Sequence, residues 1–276
     1  MTHAGAAAGR EPIAARVPEV TFLFWVLKLL TTAAGEATSD FLALHGYALA
    51  GVVEVTIFVV AVVIQFSTRR YIAAAYWFLA LAIAIFGTGA ADFMHLVVGI
   101  PYSGTTTIWA VVLAAIFWLW HRSERTLSIH SIVTRRRELY YWATVYATFA
   151  LGTALGDFTA SELHFGYLGS IVLFAIVIVV PAVAWSRFGM NSVLCFWFAY
   201  VVTRPLGASI ADWFSKPRDI SGLDYGDGPV AVVLLLLLAV LVIYTAAARY
   251  DIQQPATPDG LPDGQPARSQ GPAPRY

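Results

Sequence analysis

The apolar positions of this chain gather into eight runs, near residues 20–43, 48–66, 71–96, 104–121, 138–162, 167–185, 191–214 and 229–248. Each is close to the roughly 20 residues a helix needs to cross about 30 Å of hydrocarbon. Several are apolar around the whole helix, whereas a helix on a soluble domain keeps a polar face. The pattern predicts an all-α, polytopic membrane protein with eight transmembrane helices. The first run is long enough to span and has no convincing small-residue cleavage site, so it reads as a spanning helix, not a signal peptide.

The polar interruptions inside these runs are periodic. Trp25, Trp77, Trp142 and Trp197 each follow an aromatic residue: Phe24, Tyr76, Tyr141 and Phe196. Ten residues after each Trp stands Gly35, Gly87, Gly152 or Gly207, and fifteen after it Asp40, Asp92, Asp157 or Asp212, itself followed by Phe or Trp. The unit [FY]-W-x9-G-x4-D-[FW] thus occurs four times. Each copy is followed by a plainer second helix that closes on Arg69, Arg122, Arg187 or Arg249. With nine Trp in 276 residues, four such registers are not a coincidence. A unit that crosses twice leaves all four copies in one orientation. Such copies are expected to be related by rotation about an axis along the membrane normal, unlike inverted transporter repeats. The units read as residues 17–70, 71–122, 138–187 and 188–250, with a basic connection at 123–137. The ends, 1–16 and the Pro- and Gly-rich 251–276, read as disordered cytoplasmic segments.

Together with VPEVTFLFWVLKLLTTAAGEATSDF, GTGAADF, RTLSIHSIVTRRRELYYW, LGTALGDFTAS and TRPLGASIADWFS, this repeat resembles a family of bacterial multi-pass membrane proteins. They are built from four tandem two-helix repeats of unknown function and labelled "uncharacterised membrane-anchored protein". The resemblance implies the fold and a membrane location. It implies no activity.

Charge sharpens the picture. Only 12% of residues are charged, against the roughly 25% usual for soluble domains. One side of the predicted topology carries Arg10, Arg16, Arg69, Arg70, Arg122, Arg125, Arg135, Arg136, Arg137, Arg187 and Arg249; the other side's loops carry Lys216 and Arg218. The positive-inside rule then puts both termini in the cytoplasm of an inner-membrane protein, as an even helix count also requires. The connection from His121 to Arg137 reads as a topology-setting loop touching anionic lipid, with a regulatory or partner-binding role as the alternative. The lone Cys195 reads as a small core residue.

The candidate chemistry lies in ionisable groups inside the spans, where a charge costs about 2.5–3.5 kcal/mol. Lys28, Thr32, Glu36 and Asp40 form one slanting stripe, and the fourth unit puts Arg204, Ala208 and Asp212 at the positions of its last three members. Lys28, Glu54 and Arg204 are read as ion-pair residues. Arg204 is expected to bridge Glu36 or Glu54 across helices, because its own-helix partner lies roughly 12 Å along the axis. Glu36, Asp40, Asp92, Asp157 and Asp212 are candidate cation ligands, with Thr31, Thr32, Thr88, Thr153 and Ser209 as further oxygen donors. Pro205 removes a backbone donor beside Arg204. Set against this, each Asp beside Gly and an aromatic residue can simply anchor its turn, Gly can serve close helix packing, and His95 reads as a hydrogen-bonded interface residue.

The functional reading is a small transporter or channel for a cation, either a divalent metal or one coupled to protons. The alternative is a non-transporting scaffold or accessory subunit whose polar residues fix helix register. An enzyme is not expected. The G-x-G-D motif of intramembrane aspartyl proteases is missing, with Ala154 in the way before Asp157, and no Ser-His, HExxH or phosphate-loop pattern occurs. No cofactor and no nucleic-acid partner is expected; the partners are the bilayer, a cation and a membrane partner the sequence does not name.

Overall fold

The computed structural model describes residues 15–249 and 251–253, so most of the two expected disordered ends lies outside the described residues. Within them the chain is all helical, without strands. Its eight long helices are α1 (Phe22–Ala43), α2 (Tyr47–Ser67), α3 (Ala73–Asp92), α4 (Tyr102–Glu124), α5 (Arg135–Asp157), α6 (Gly166–Phe188), α7 (Ser192–Ser215) and α8 (Asp227–Ala248). Side-chain caps start three of them. Thr21 accepts from the Phe24 amide, Thr134 from that of Arg137, and Asn191 from those of Val193 and Leu194. Gly189, at φ +64°, ends α6 in the left-handed conformation that suits glycine. α3 and α5 each run on into one π-helical turn, Phe93–Val97 and Phe158–Glu162, directly after the repeat aspartate.

Six of the eight helices are long and apolar enough to cross a membrane, which is consistent with a membrane protein. The other two are α1, which carries Lys28, Glu36 and Asp40, and α5, which opens on Arg135, Arg136, Arg137 and Glu138. Both belong to the inner layer. α1, α3, α5 and α7 close a ring in which each packs on the next and α7 returns to α1. The second helices stand outside the ring, with a twist of connectivity. α2 packs mainly on α3, α4 on α5, α6 on α7, and α8 on α1, so each unit's second helix lies on the next unit's first. Burial follows: 67% of the apolar window of α3 and 61% of that of α7 is buried, against 17% in each of α2, α4, α6 and α8.

The repeat glycines seat the ring. An added Cβ at Gly35 would stand 3.1 Å from Ala84 Cα, at Gly87 3.0 Å from Phe149 Cβ, at Gly152 2.5 Å from Arg204 Cβ, and at Gly207 2.7 Å from Thr32 Cβ. Each glycine therefore admits the backbone of the neighbouring inner helix at the same register, seven residues past that helix's Trp. Small residues allow such close approach between apolar helices. The repeat Trp residues are inside the protein, not at its boundary: Trp77, Trp142 and Trp197 are buried and Trp25 is half-buried. The exposed indoles are Trp118 and Trp185 on outer helices, the former beneath the Arg122 guanidinium at 5.3 Å.

At the arginine-rich end, fully buried Glu138 gathers Arg16 at 3.0 Å, Arg135 at 2.9 Å and the Gln65 amide at 2.9 Å. Arg137 and Arg136 pair with Glu124 at 2.8 and 3.3 Å. Part of the basic connection is thus paired within the protein, while Arg122, Arg125 and Arg136 remain exposed. The described part of the C-terminal segment is seated as well. Tyr71 donates to the Asp251 carboxylate, and Gln253 donates to the Pro18 carbonyl at 3.1 Å. Burial raises the Asp251 carboxyl above its ordinary range, against the Tyr71 hydrogen bond that lowers it.

Candidate functional site

Because the four inner helices are parallel copies, equivalent residues form layers across the ring. Nearest the arginine-rich end lie Phe24, Tyr76, Tyr141 and Phe196, with the Tyr76 and Tyr141 hydroxyls hydrogen-bonded to each other. One turn on, Lys28 stands beside Tyr200. Its Nζ lies 4.0 Å from the Tyr200 ring centre and 4.2 Å from that of Phe149, with no hydrogen-bond partner among the described residues. Cation–π attraction is the interaction it keeps.

Phe149 separates Lys28 from the next charge, with the Arg204 guanidinium 5.2 Å from its ring centre. Arg204 is fully buried and donates to Glu36 Oε2 at 2.5 Å, to Thr153 Oγ1 at 2.7 Å, to Thr88 Oγ1, and to the Thr32 carbonyl at 3.3 Å. Thr88 and Thr153 hydroxyls donate in turn to the same Glu36 oxygen, at 2.9 and 3.3 Å. Glu36, Thr88 and Thr153 are equivalents in repeats one, two and three, and Arg204 comes from repeat four. All four units build this one ion pair. A guanidinium suits the task because its planar fork serves several acceptors at once.

Above it lies the aspartate layer. Glu36, Asp40 and Asp212 each offer an oxygen within 4.8 Å of the others, a spacing a single metal ion could bridge. Lys216, at the end of α7, reaches back over the group and donates to Asp40 Oδ2 at 2.7 Å and Asp227 Oδ1 at 3.1 Å. Asp92 and Asp157 are half-buried at the same level, within electrostatic reach of Glu36 and Asp40, without a hydrogen-bond donor among the described residues. These two are also the aspartates from which the helix widens into a π turn, a feature often found at functional sites.

Of the five candidate ligands, the structure therefore draws three into one cluster and leaves two at its rim. Of the three residues expected to form ion pairs, only Arg204 does. Lys28 sits between aromatic rings, and Glu54 is held by a neutral donor, the Ser39 hydroxyl at 2.7 Å. His95 donates from Nδ1 to the Ile100 carbonyl at 2.8 Å and stacks on Tyr102. Sequence reasoning missed Lys216 as a partner of the cluster, although its place four residues after Asp212 was a usable signal. It missed Phe149 as the spacer between two cations; nothing in an apolar run marks one phenylalanine for that position.

A family model described as a repeat of unknown function (DUF347) matches this chain four times, over residues 23–71, 75–126, 140–191 and 195–250. No curated protein and no solved structure matches.

Proposed function

Because the chain belongs to the DUF347 family of tandem repeats, which brings no activity with it, we propose a function from its own residues: a small cation transporter of the bacterial inner membrane. In this reading all eight helices span the bilayer, both termini are cytoplasmic, and the aspartate layer faces outward. α1 and α5 cross as members of the inner ring, their polar residues turned from lipid.

The observation that carries the proposal is the close grouping of Glu36, Asp40 and Asp212, from the adjacent inner helices α1 and α7, beneath the ammonium of Lys216. Asp92 and Asp157 collect a cation at the mouth. It then competes with Lys216 for Asp40 and meets Asp212 beside it, while Arg204 keeps Glu36 from binding it too tightly. Hard oxygen ligands favour a divalent metal or a proton over a soft ion. In this reading the tyrosine layer and Phe149 fill the axis on the cytoplasmic side.

The test is flux of protons, alkali ions and divalent metals into liposomes containing the purified protein. Uptake of one of these, reduced at least about tenfold in Asp212→Asn and Asp40→Asn variants that still elute as folded protein, is the expected result. Absence of flux for every ion sinks the proposal. It favours the second reading, a non-transporting scaffold. That reading draws on the internal satisfaction of Glu36 by three donors and on the aromatic filling of the axis.

A further inference from the structure

A cavity of about 380 Å³ lies on the outer face of α3, walled also by α2, the end of α1 and Trp109 of α4. Its walls are mostly apolar and aromatic, with Tyr47, Phe86, Phe93 and Trp109 among them, yet two carboxylates, Glu54 and Asp92, line it. Tyr47 and Phe93 are half exposed, so the cavity opens sideways to the surroundings of the helices. Glu54 is 4% exposed and has no cationic partner among the described residues. Its Oε1 accepts from Ser39, and among the described residues no donor meets its Oε2. Gly89 makes the room for this carboxylate: a Cβ there would stand 2.7 Å from Glu54 Cδ and 2.9 Å from Oε1. An acid this deep in an apolar wall, kept clear by a glycine and left without a counter-ion, is an arrangement that a mobile cation completes.

We infer that this groove is a binding site for an amphiphilic ammonium ion, whose charge pairs with Glu54 and Asp92 and whose apolar part lies against Trp109, Phe86 and Phe93. Size and lining fit: the volume is that of a small-molecule pocket, and aromatic walls with one or two placed charges are the chemistry of such sites. Aromatic faces attract an alkylammonium directly, and the attraction strengthens away from water. A hydrated metal ion would gain nothing from these walls, which separates this ligand class from that of the axial cluster. The inference shares Asp92 with the axial reading but requires binding and no passage, and it stands or falls on Glu54.

The experiment is calorimetric titration of the purified full chain, in a nonionic detergent, with benzyltrimethylammonium, and with benzenesulfonate as an anionic counterpart of similar size. The ammonium is expected to bind and the sulfonate not. Glu54→Gln, which keeps the Ser39 contact and removes the charge, is expected to weaken binding at least about tenfold. Gly89→Ala, which crowds the carboxylate out of its seat and leaves every charge in place, is expected to weaken it severalfold. Adding phosphatidylethanolamine to the detergent assigns the source: displacement of the probe identifies a lipid headgroup, and retention identifies a free amine. Equal binding of the sulfonate overturns the proposal. So does a monodisperse Glu54→Gln or Gly89→Ala protein that binds the ammonium as tightly as the parent.

Discussion

Arg204 and Glu36 are a buried pair, and such pairs stabilise a fold less through their mutual attraction than through the cost of separating them. Each alone would leave an ion in an apolar interior; together, with Thr88 and Thr153 donating to the carboxylate, the charges are matched, although Arg204 Nε keeps no hydrogen-bond partner among the described residues. Replacing Glu36 by Gln keeps the shape but leaves the guanidinium without a counter-charge. The expected loss is about 3–5 kcal/mol. Thr88→Val removes a hydroxyl that both accepts from Arg204 and donates to Glu36 and is expected to cost about 1–3 kcal/mol. The double variant Glu36→Leu with Arg204→Met removes both ions and is expected to recover most of the single-variant loss. Thermal unfolding in detergent checks the order; a Glu36→Gln protein as stable as the parent refutes it. The same physics bounded what could be read beforehand. Spacing favoured a partner across helices over one on Arg204's own helix, and depth in the membrane pointed to Glu36 or Glu54. The choice between them depended on which inner helices touch, and that is a property of the ring.

At the scale of the helices, the boundaries were legible because apolar runs stop where Gly, Pro or Arg intervenes. α1, for example, covers Phe22–Ala43 where the pattern indicated 20–43. The runs through 71–96 and 138–162 were also continuous for good reason: a π turn carries α3 and α5 past their aspartates without breaking the helix. Which outer helix covers which inner one was not legible. α2, α4, α6 and α8 are largely apolar around the helix, and the few polar residues they carry, such as Glu54 and Gln65 on α2, do not by themselves name a neighbour. The burial of the Trp residues was hidden for a related reason, since an indole in an apolar run suits either a core or a membrane boundary. The glycines do carry a register, and a prediction follows from it. Gly152→Ala drives a methyl group into Arg204 and Pro205 and is expected to destabilise by about 1–3 kcal/mol. Gly51→Ala, on the outer helix α2 with open space around it, is expected to be neutral or stabilising by up to about 1 kcal/mol. Equal effects of the two substitutions on melting temperature would remove the glycine seating from the account of the ring.

For the whole molecule, the offset of the outer helices decides what kind of object the repeat is. If α2 packed on α1, each unit would be a self-contained hairpin and four of them a loose array. Because α2 lies mainly on α3, α4 on α5, α6 on α7 and α8 on α1, each first helix is covered chiefly by another unit's second helix, and the chain is expected to be stable only when the circle closes. Cutting the chain after Arg125, an exposed residue at the end of α4, tests this directly. The fragment 1–125 keeps α1 to α4 but lacks α7 and α8 against α1 and α5 against α4. The fragment 126–276 has the complementary gaps. Contacts that cross the cut are specific: Arg137 with Glu124 at 2.8 Å, and Glu138 with Arg16 at 3.0 Å and Gln65 at 2.9 Å. Co-expressed, the two fragments are expected to copurify through a tag on either one and to elute as a single species of the full chain's size. Expressed alone, each is expected to aggregate or be degraded. Glu138→Ala in the second fragment is expected to weaken the assembly, because it leaves Arg16, Arg135 and Gln65 without their common acceptor. Either fragment standing alone as a monodisperse, folded protein would show the half-molecules to be independent, and the closed ring would lose its claim to be the folding unit.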